Sequence, residues 1–322
     1  MQKIVDDLRL VYKCCKLYYE DELRQTEICN TLGISRTTVS RMLKVGKEEG
    51  IVKVEVINPI NLNYGELERQ LESRYGLKDV IIAETQPLDT EYDKLQSISE
   101  VSFDYLTHLF KDGDTIGIGM GYTLYNIAKV KRTYTFDKQF LFVPLLGGIG
   151  RDAMGKVDVQ ANNIASLFVK KFGGRYAQFL SPAIFRDEMI MKGFMMEKTV
   201  NYIYDYFDSL DVSIVGLGIP ERSGSTMVSG GYVTADELSD FVERGAIGDI
   251  ALRFYDKNGS MEVFKDYNEK IAAISEQQLK KVKTRIGVAG GIKKVDAIKG
   301  AIKGNFINVL ITDIDCAQEM LK

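Results

Sequence analysis

Apolar residues at the start of the chain recur at helical spacing. Ile4, Leu8, Val11 and Cys15 stand at i, i+4, i+7 and i+11, which predicts a helix over residues 3–19 with one apolar face. Ile28 and Leu32 lie four apart within 26–32 and predict a second helix. Gly33 supplies the turn, because a residue without a Cβ takes positive φ at little cost. Ser35 stands where the next helix needs an N-cap acceptor, and Val39, Met42, Leu43 and Gly46 follow as its inner face. Residues 51–57 alternate apolar and polar, which predicts a short strand, a candidate wing, ended by Asn58-Pro59. The domain boundary is expected there, dividing the chain into 1–57 and 58–322.

Leu67 and Leu71 share one face of a predicted helix over 62–75, which either packs on the second domain or pairs with its copy in a dimer. Beyond it, short β-branched runs alternate with helical patterns. Strands are expected at 80–83, 115–119, 140–144, 176–179, 212–217, 250–254, 285–289 and 309–312. Helices are expected at 95–110, 122–131, 159–172 and 295–302. Such alternation implies an α/β domain whose mainly parallel sheet is covered by helices on both faces. With 322 residues the chain has room for that domain and the smaller helical one before it.

Charge sharpens the reading of the third helix. From Ser35 to Lys47 it carries Arg36, Arg41, Lys44 and Lys47 and no acidic residue, in a chain whose net charge is −3. Ser35, Arg36, Thr37, Thr38, Ser40, Arg41 and Lys44 therefore become candidates for DNA contact, the polar ones in the first turns for base edges. A mildly acidic whole with one basic helix suits a regulator whose DNA contact is a small part of its surface. Cys14, Cys15, Cys29 and Cys316 show no metal-ligand spacing, and the one histidine is His108, so a zinc site and a Ser-His-Asp triad both lack material. No cofactor is expected. The charged start (Lys3, Asp6, Asp7, Arg9) is unlike a signal peptide, no apolar run has membrane-span length, and a reducing cytoplasm is the expected compartment.

In parallel sheets ligands bind where the carboxyl ends of strands gather their loops. Four of the expected strand ends are glycine-rich. The first, around Gly119 and Gly121, leads into a helix start with Tyr122 and Thr123 beside it, a geometry suited to an oxyanion. It matches neither a Walker loop nor a full dinucleotide fingerprint. The second runs from Pro144 through Gly147, Gly148 and Gly150, and the third is Gly216-Leu-Gly-Ile-Pro. The fourth, Ala289-Gly-Gly-Ile-Lys-Lys, sets Lys293 and Lys294 at a helix start, where positive charge is disfavoured unless an anion joins it.

The run Ile-Gly-Val-Ala-Gly-Gly-Ile-Lys-Lys-Val-Asp-Ala-Ile at 286–298, followed by Gly-Asn-Phe-Ile-Asn-Val-Leu-Ile-Thr-Asp at 304–313, resembles the C-terminal signature of the SorC family of sugar-responsive bacterial regulators. The helix pair around Gln25 and Val39, the Gly119–Leu124 loop and Gly-Ala-Ile-Gly-Asp-Ile at 245–250 are similar too, in the same order. The resemblance implies a plain or winged helix-turn-helix joined to an effector domain related to sugar-phosphate isomerases. It implies a dimer or tetramer that binds operator DNA and a phosphorylated sugar. By position it points to Gly121, Tyr122 and Thr123 in a phosphate loop and to Gly147 and Gly148 in a second loop, with Gln160, Asp249 and Lys294 completing the pocket. Leu146 departs from the basic residue some members carry, with Arg151, in the stretch 151–156, as a candidate replacement.

The rival reading is a sugar-phosphate isomerase or deaminase that carries a DNA-binding domain. Asp152, Asp158 and Asp249 supply carboxylates for such chemistry, but no base–acid pair is recognisable, and a whole DNA-reading domain favours the regulator.

Overall fold

The computed structural model describes residues 7–53, 64–132, 138–150, 159–221 and 226–322. The chain divides into two compact units, Met1–Asn63 and Tyr64–Lys322.

The first unit holds three helices, α1 (Leu8–Tyr19), α2 (Gln25–Leu32) and α3 (Arg36–Glu48). Asp7 caps α1 by accepting the N–H groups of Arg9 and Leu10, so the helix begins there; Ile4 of the expected 3–19 helix lies outside the described residues. Gly33 ends α2 in the left-handed conformation (φ 66°), as expected of the turn. Ser35 caps α3, its hydroxyl accepting the Thr38 N–H at 3.2 Å. Val11, Cys14, Cys15, Ile28, Val39, Met42 and Leu43 form the core. Leu8, expected on the inner face, is 52% exposed, because the buried face narrows to Val11, Cys14 and Cys15. Of the expected 51–57 strand, Ile51–Lys53 are not in a strand, Val52 donating instead to the Gly46 carbonyl (2.9 Å); the remainder lies outside the described residues.

The second unit is built on a seven-stranded sheet. Its strands are β1 (Asp79–Ala83), β2 (Thr115–Ile118), β3 (Leu141–Pro144), β4 (Arg175–Tyr176), β5 (Val212–Gly216), β8 (Thr284–Val288) and β9 (Val309–Asp313). They are ordered β1-β9-β8-β5-β2-β3-β4, and every neighbouring pair is parallel. Apolar side chains of alternate residues feed two cores, one on each face. Ile116, Ile118, Val212, Ile214, Ile286 and Val288 enter one, with Phe103 of α5 (Glu91–Leu109), Phe110 just beyond its end and Phe168 of α7 (Ala161–Phe172). Leu141, Val143, Val215 and Leu310 enter the other, with Ile298 of α14 (Val295–Lys303) and Met320 of α15 (Ile314–Leu321). The expected helix over 62–75 is α4 (Gly65–Tyr75), and Leu71 buries it against this second core. Glu72 and Glu68 accept the N–H groups of Val80 (3.1 Å) and Ile82 (3.0 Å), which satisfies the edge of β1.

One expected strand is not a sheet strand. Residues 250–254 span a hairpin of β6 (Gly248–Ile250) and β7 (Arg253–Tyr255), antiparallel and separate from the main sheet. The chain reverses at Ala251-Leu252, a pair with no turn signal in its composition. The strand expected at 176–179 shortens to Arg175–Tyr176.

Candidate functional site

In the first unit, α3 turns Arg36, Thr37, Ser40, Arg41 and Lys44 outward, all exposed, while Val39, Met42 and Leu43 face inward. Ser35 is exposed as well. Its hydroxyl lies 2.8 Å from both Thr37 Oγ1 and Thr38 Oγ1, so the cap and the first turn form one hydroxyl cluster, with Thr38 half-buried. Lys44 pairs with Glu48 one turn on (3.7 Å), an exposed surface contact of little strength. Arg36 shares a shallow hollow with Arg24 and Gln25 at the start of α2, which sets Arg24 beside it. Sequence reading passed over Arg24 because it belongs to the other helix.

In the second unit, the strand order reverses direction between β5 and β2: the chain runs to β3 and β4 on one side and to β8 and β9 on the other. Ligands of open parallel sheets bind at such a point, beyond the carboxyl ends of the strands. A cavity of about 640 Å³ lies there. The β2 loop brings Gly119, Gly121, Tyr122 and Thr123; the loop after β5 brings Gly218 and Glu221; the loop after β8 brings Gly291, Lys293 and Lys294. The hairpin contributes Asp249, α5 contributes Lys94, and α15 contributes Asp315.

Two helix starts open onto this cavity. Gly121, at φ 118°, precedes α6 (Tyr122–Lys129), which has no side-chain cap; the Gly121 N–H itself is taken by the Val159 carbonyl (3.0 Å), so the amides that follow it are the ones placed for an anion. Gly291 opens a 3₁₀ turn, Ile292–Lys294, that runs into α14, also without a side-chain cap. Asp313 at the end of β9 holds that loop, its carboxylate accepting the Gly291 N–H (2.6 Å) and the Cys316 N–H (2.7 Å).

The charges sort into paired and less satisfied groups. Lys94 bonds Asp315 (2.7 Å) and Lys293 bonds Glu221 (3.1 Å). Asp249 and Lys294 act on each other from half-buried positions. Burial pushes the Asp249 carboxyl up to about 6 against the opposing pull of Lys294. Burial likewise holds the Lys294 ammonium below the ordinary lysine range, with Asp249 opposing it. Room for the Asp249 carboxylate comes from Gly218: a Cβ there would lie 1.9 Å from Oδ1. Their backbones pair as well, Gly218 donating to Asp249 (3.1 Å) and Asp249 to Gly218 (3.2 Å). Three lysines and two uncapped helix starts suit a phosphate, and a half-buried carboxylate suits hydroxyl donors.

Thus Gly119, Gly121, Tyr122, Thr123, Asp249 and Lys294 come together, although they come from three separate segments of chain. Gly147, Gly148 and Gln160 are not among the residues lining this cavity. Gly148 and Gln160 line a second, more open hollow, where Gln160 Oε1 accepts the Ile149 N–H at 2.7 Å. Gly147 donates to the Ala272 carbonyl (2.9 Å) and lies against the backbone of Ser181 and Pro182. Leu146 is fully buried in the core and its backbone bridges Ala273, so it presents no side chain to a ligand. Arg151, Asp152 and Asp158 lie outside the described residues. Sequence reading missed Lys94, Asp315 and Glu221, whose local contexts carry no motif.

Among the described residues no cluster of His, Cys, Asp and Glu could hold a metal ion, and no helix is long and apolar enough to cross a membrane. Residues 61–322 match the family described as "Putative sugar-binding domain". The chain is 33% identical to the sorbitol operon regulator of Klebsiella pneumoniae, over 98% of this chain and 99% of that one. It is 28% identical to the deoxyribonucleoside regulator of Bacillus subtilis, over 97% of each. The crystal structure of the full-length Klebsiella pneumoniae regulator superposes with a TM-score of 0.71 at 32% identity, covering 98% of this chain and 99% of that one. These relatives are transcriptional regulators, not enzymes, and the matches over the larger unit and over the full length together make this chain a member of the SorC family of sugar-responsive transcriptional regulators.

Proposed function

We propose that residues 1–57 read operator DNA through α3 and that 58–322 bind a phosphorylated sugar and carry the contacts of a homodimer or homotetramer in the cytoplasm. In this reading Arg36, Thr37, Thr38 and Ser40 meet base edges, while Ser35, Arg41 and Lys44 hold the phosphate backbone. The effector's phosphate sits at Gly119, Gly121, Tyr122, Thr123 and Lys294, and Asp249 accepts its hydroxyls. Gly147, Gly148 and Gln160 lie outside the lining of this cavity and are given no contact with the phosphate in this reading. Two copies present two recognition helices to half-sites about one helical turn, or a multiple of it, apart.

The observation that carries this reading is the placement of Lys294 and Asp249 in one cavity between two uncapped helix starts. The ligand must bind two arrangements of the oligomer unequally to change operator affinity, and a coupling of about 1–3 kcal/mol is ordinary for such regulators. Calorimetric titration with hexitol, hexose, pentose and deoxypentose phosphates, beside their unphosphorylated parents, tests it. Tight binding that requires the phosphate is the expected result. Equal binding of a free sugar would overturn the phosphate assignment.

A further inference from the structure

The hairpin that carries Asp249 turns through two residues that disfavour the conformation they hold. Ala251 has φ 49° and Leu252 φ 67°. A two-residue turn with both φ positive favours Asn-Gly or Gly-Gly, because a Cβ crowds the backbone there and an isobutyl group more so. The non-glycine residues with positive φ among the described ones are Glu22, Ala251, Leu252 and Asn305, and only Ala251 and Leu252 are adjacent. Both belong to the cavity wall, and Leu252 is only 1% exposed.

Such a turn persists only where its surroundings over-determine it. Here the fastening is visible on both strands. The Arg253 guanidinium, next in the chain, donates to the carbonyls of Asn268, Ile271 (2.9 Å) and Ala273 (3.4 Å). The Asn268 side chain bonds both the N–H (3.0 Å) and the carbonyl (2.9 Å) of Phe254. The Tyr255 hydroxyl donates to the Ala297 carbonyl (2.9 Å) on α14, the helix that Lys294 precedes. On the other strand, Asp249 is paired with Gly218 and its carboxylate lies across the space a Cβ would fill.

We propose that Leu252 is a positioning residue for effector recognition: its buried side chain anchors the left-handed turn that sets the Asp249 carboxylate over Gly218, on the Lys294 side of the cavity. A glycine would relax the turn and lose the anchor together. The inference rests on the sugar-phosphate reading of the cavity and deepens it, since it assigns hydroxyl recognition to the hairpin and leaves the phosphate to the helix starts.

The test compares wild type, Leu252→Gly, Asp249→Asn and the double variant by titration with the tightest-binding phosphate of the panel above and, separately, with inorganic phosphate. Leu252→Gly should weaken the sugar phosphate about tenfold, the scale of one hydrogen bond to a charged group. Inorganic phosphate affinity should stay within about twofold, since the helix starts remain. Adding Leu252→Gly to Asp249→Asn should cause almost no further loss, because both act through one carboxylate. Leu252→Met, which keeps a buried apolar anchor, should bind as wild type does. If the glycine variant does not fold, Leu252→Ala repeats the comparison. A Leu252 variant that lowers the melting temperature yet leaves the ratio of the two affinities unchanged overturns the inference while the sugar-phosphate reading stands; additive losses in the double variant do the same. A wild type that binds no sugar phosphate overturns both.

Discussion

Helix α3 and the cavity of the second unit set out their charges by opposite means. On α3 the basic residues lie within one helix, at 36, 41, 44 and 47, and are exposed. In the cavity the charges come from separate strand ends, and burial displaces both Asp249 and Lys294 from their ordinary ranges. A flexible exposed cation loses little by waiting in water for a phosphate. A charge set into a wall costs stability until a ligand satisfies it, which makes it selective.

The largest expected effect tests that cost. Asp249 has a folded-state value of about 6 against an ordinary 3.8, so between those pH values the folded protein holds a proton that the unfolded chain has lost. Its contribution therefore favours folding below about pH 4 and becomes a full penalty above about pH 6, on the order of 3 kcal/mol before relaxation. Denaturant melts of wild type and Asp249→Asn across pH 4–7 should show wild-type stability falling relative to the variant as pH rises. Parallel curves would mean the carboxyl is better solvated than its setting implies. Lys294→Ala comes next. It should weaken sugar-phosphate binding by about 1.5–3 kcal/mol and leave operator binding without effector nearly unchanged. Titration with and without operator measures both.

On the exposed side the effects are smaller and of another kind. Arg36→Ala should cost about 1–3 kcal/mol at one or two operator positions and relax preference there, read by anisotropy against a set of single-base operator variants. Lys44→Ala should weaken binding to every sequence alike and reduce the salt slope by about one. A sequence-dependent loss with Lys44→Ala would remove the distinction between the two ends of α3.

The helices of the first unit were readable because their signals are local: apolar spacing, Gly33 at the turn and Ser35 at the cap lie within one or two turns of what they determine. The parallel sheet was readable for a similar reason, each strand being a short apolar run, and α4 shows the limit. Leu67 and Leu71 defined its apolar face, but only the core beneath β1 decided what that face covers. The hairpin at Ala251-Leu252 escaped notice because its turn is held by Arg253, Asn268 and Tyr255 against residues distant in sequence, not by turn-forming residues.

By itself the sequence determined the basic helix α3, the alternation of strands and helices, and the glycine-rich strand ends, since these follow from spacing within a few residues. Tertiary structure decided which of those ends meet. It joined Gly121 and Lys294, added Lys94, Asp315 and Glu221, and set Gly147, Gly148 and Gln160 outside the cavity. It also decided where the half-buried Asp249 carboxylate would sit, because the room for it is a missing Cβ thirty-one residues away at Gly218. Strand order and close approach are properties of the packed sheet, and no local pattern in the chain encodes them.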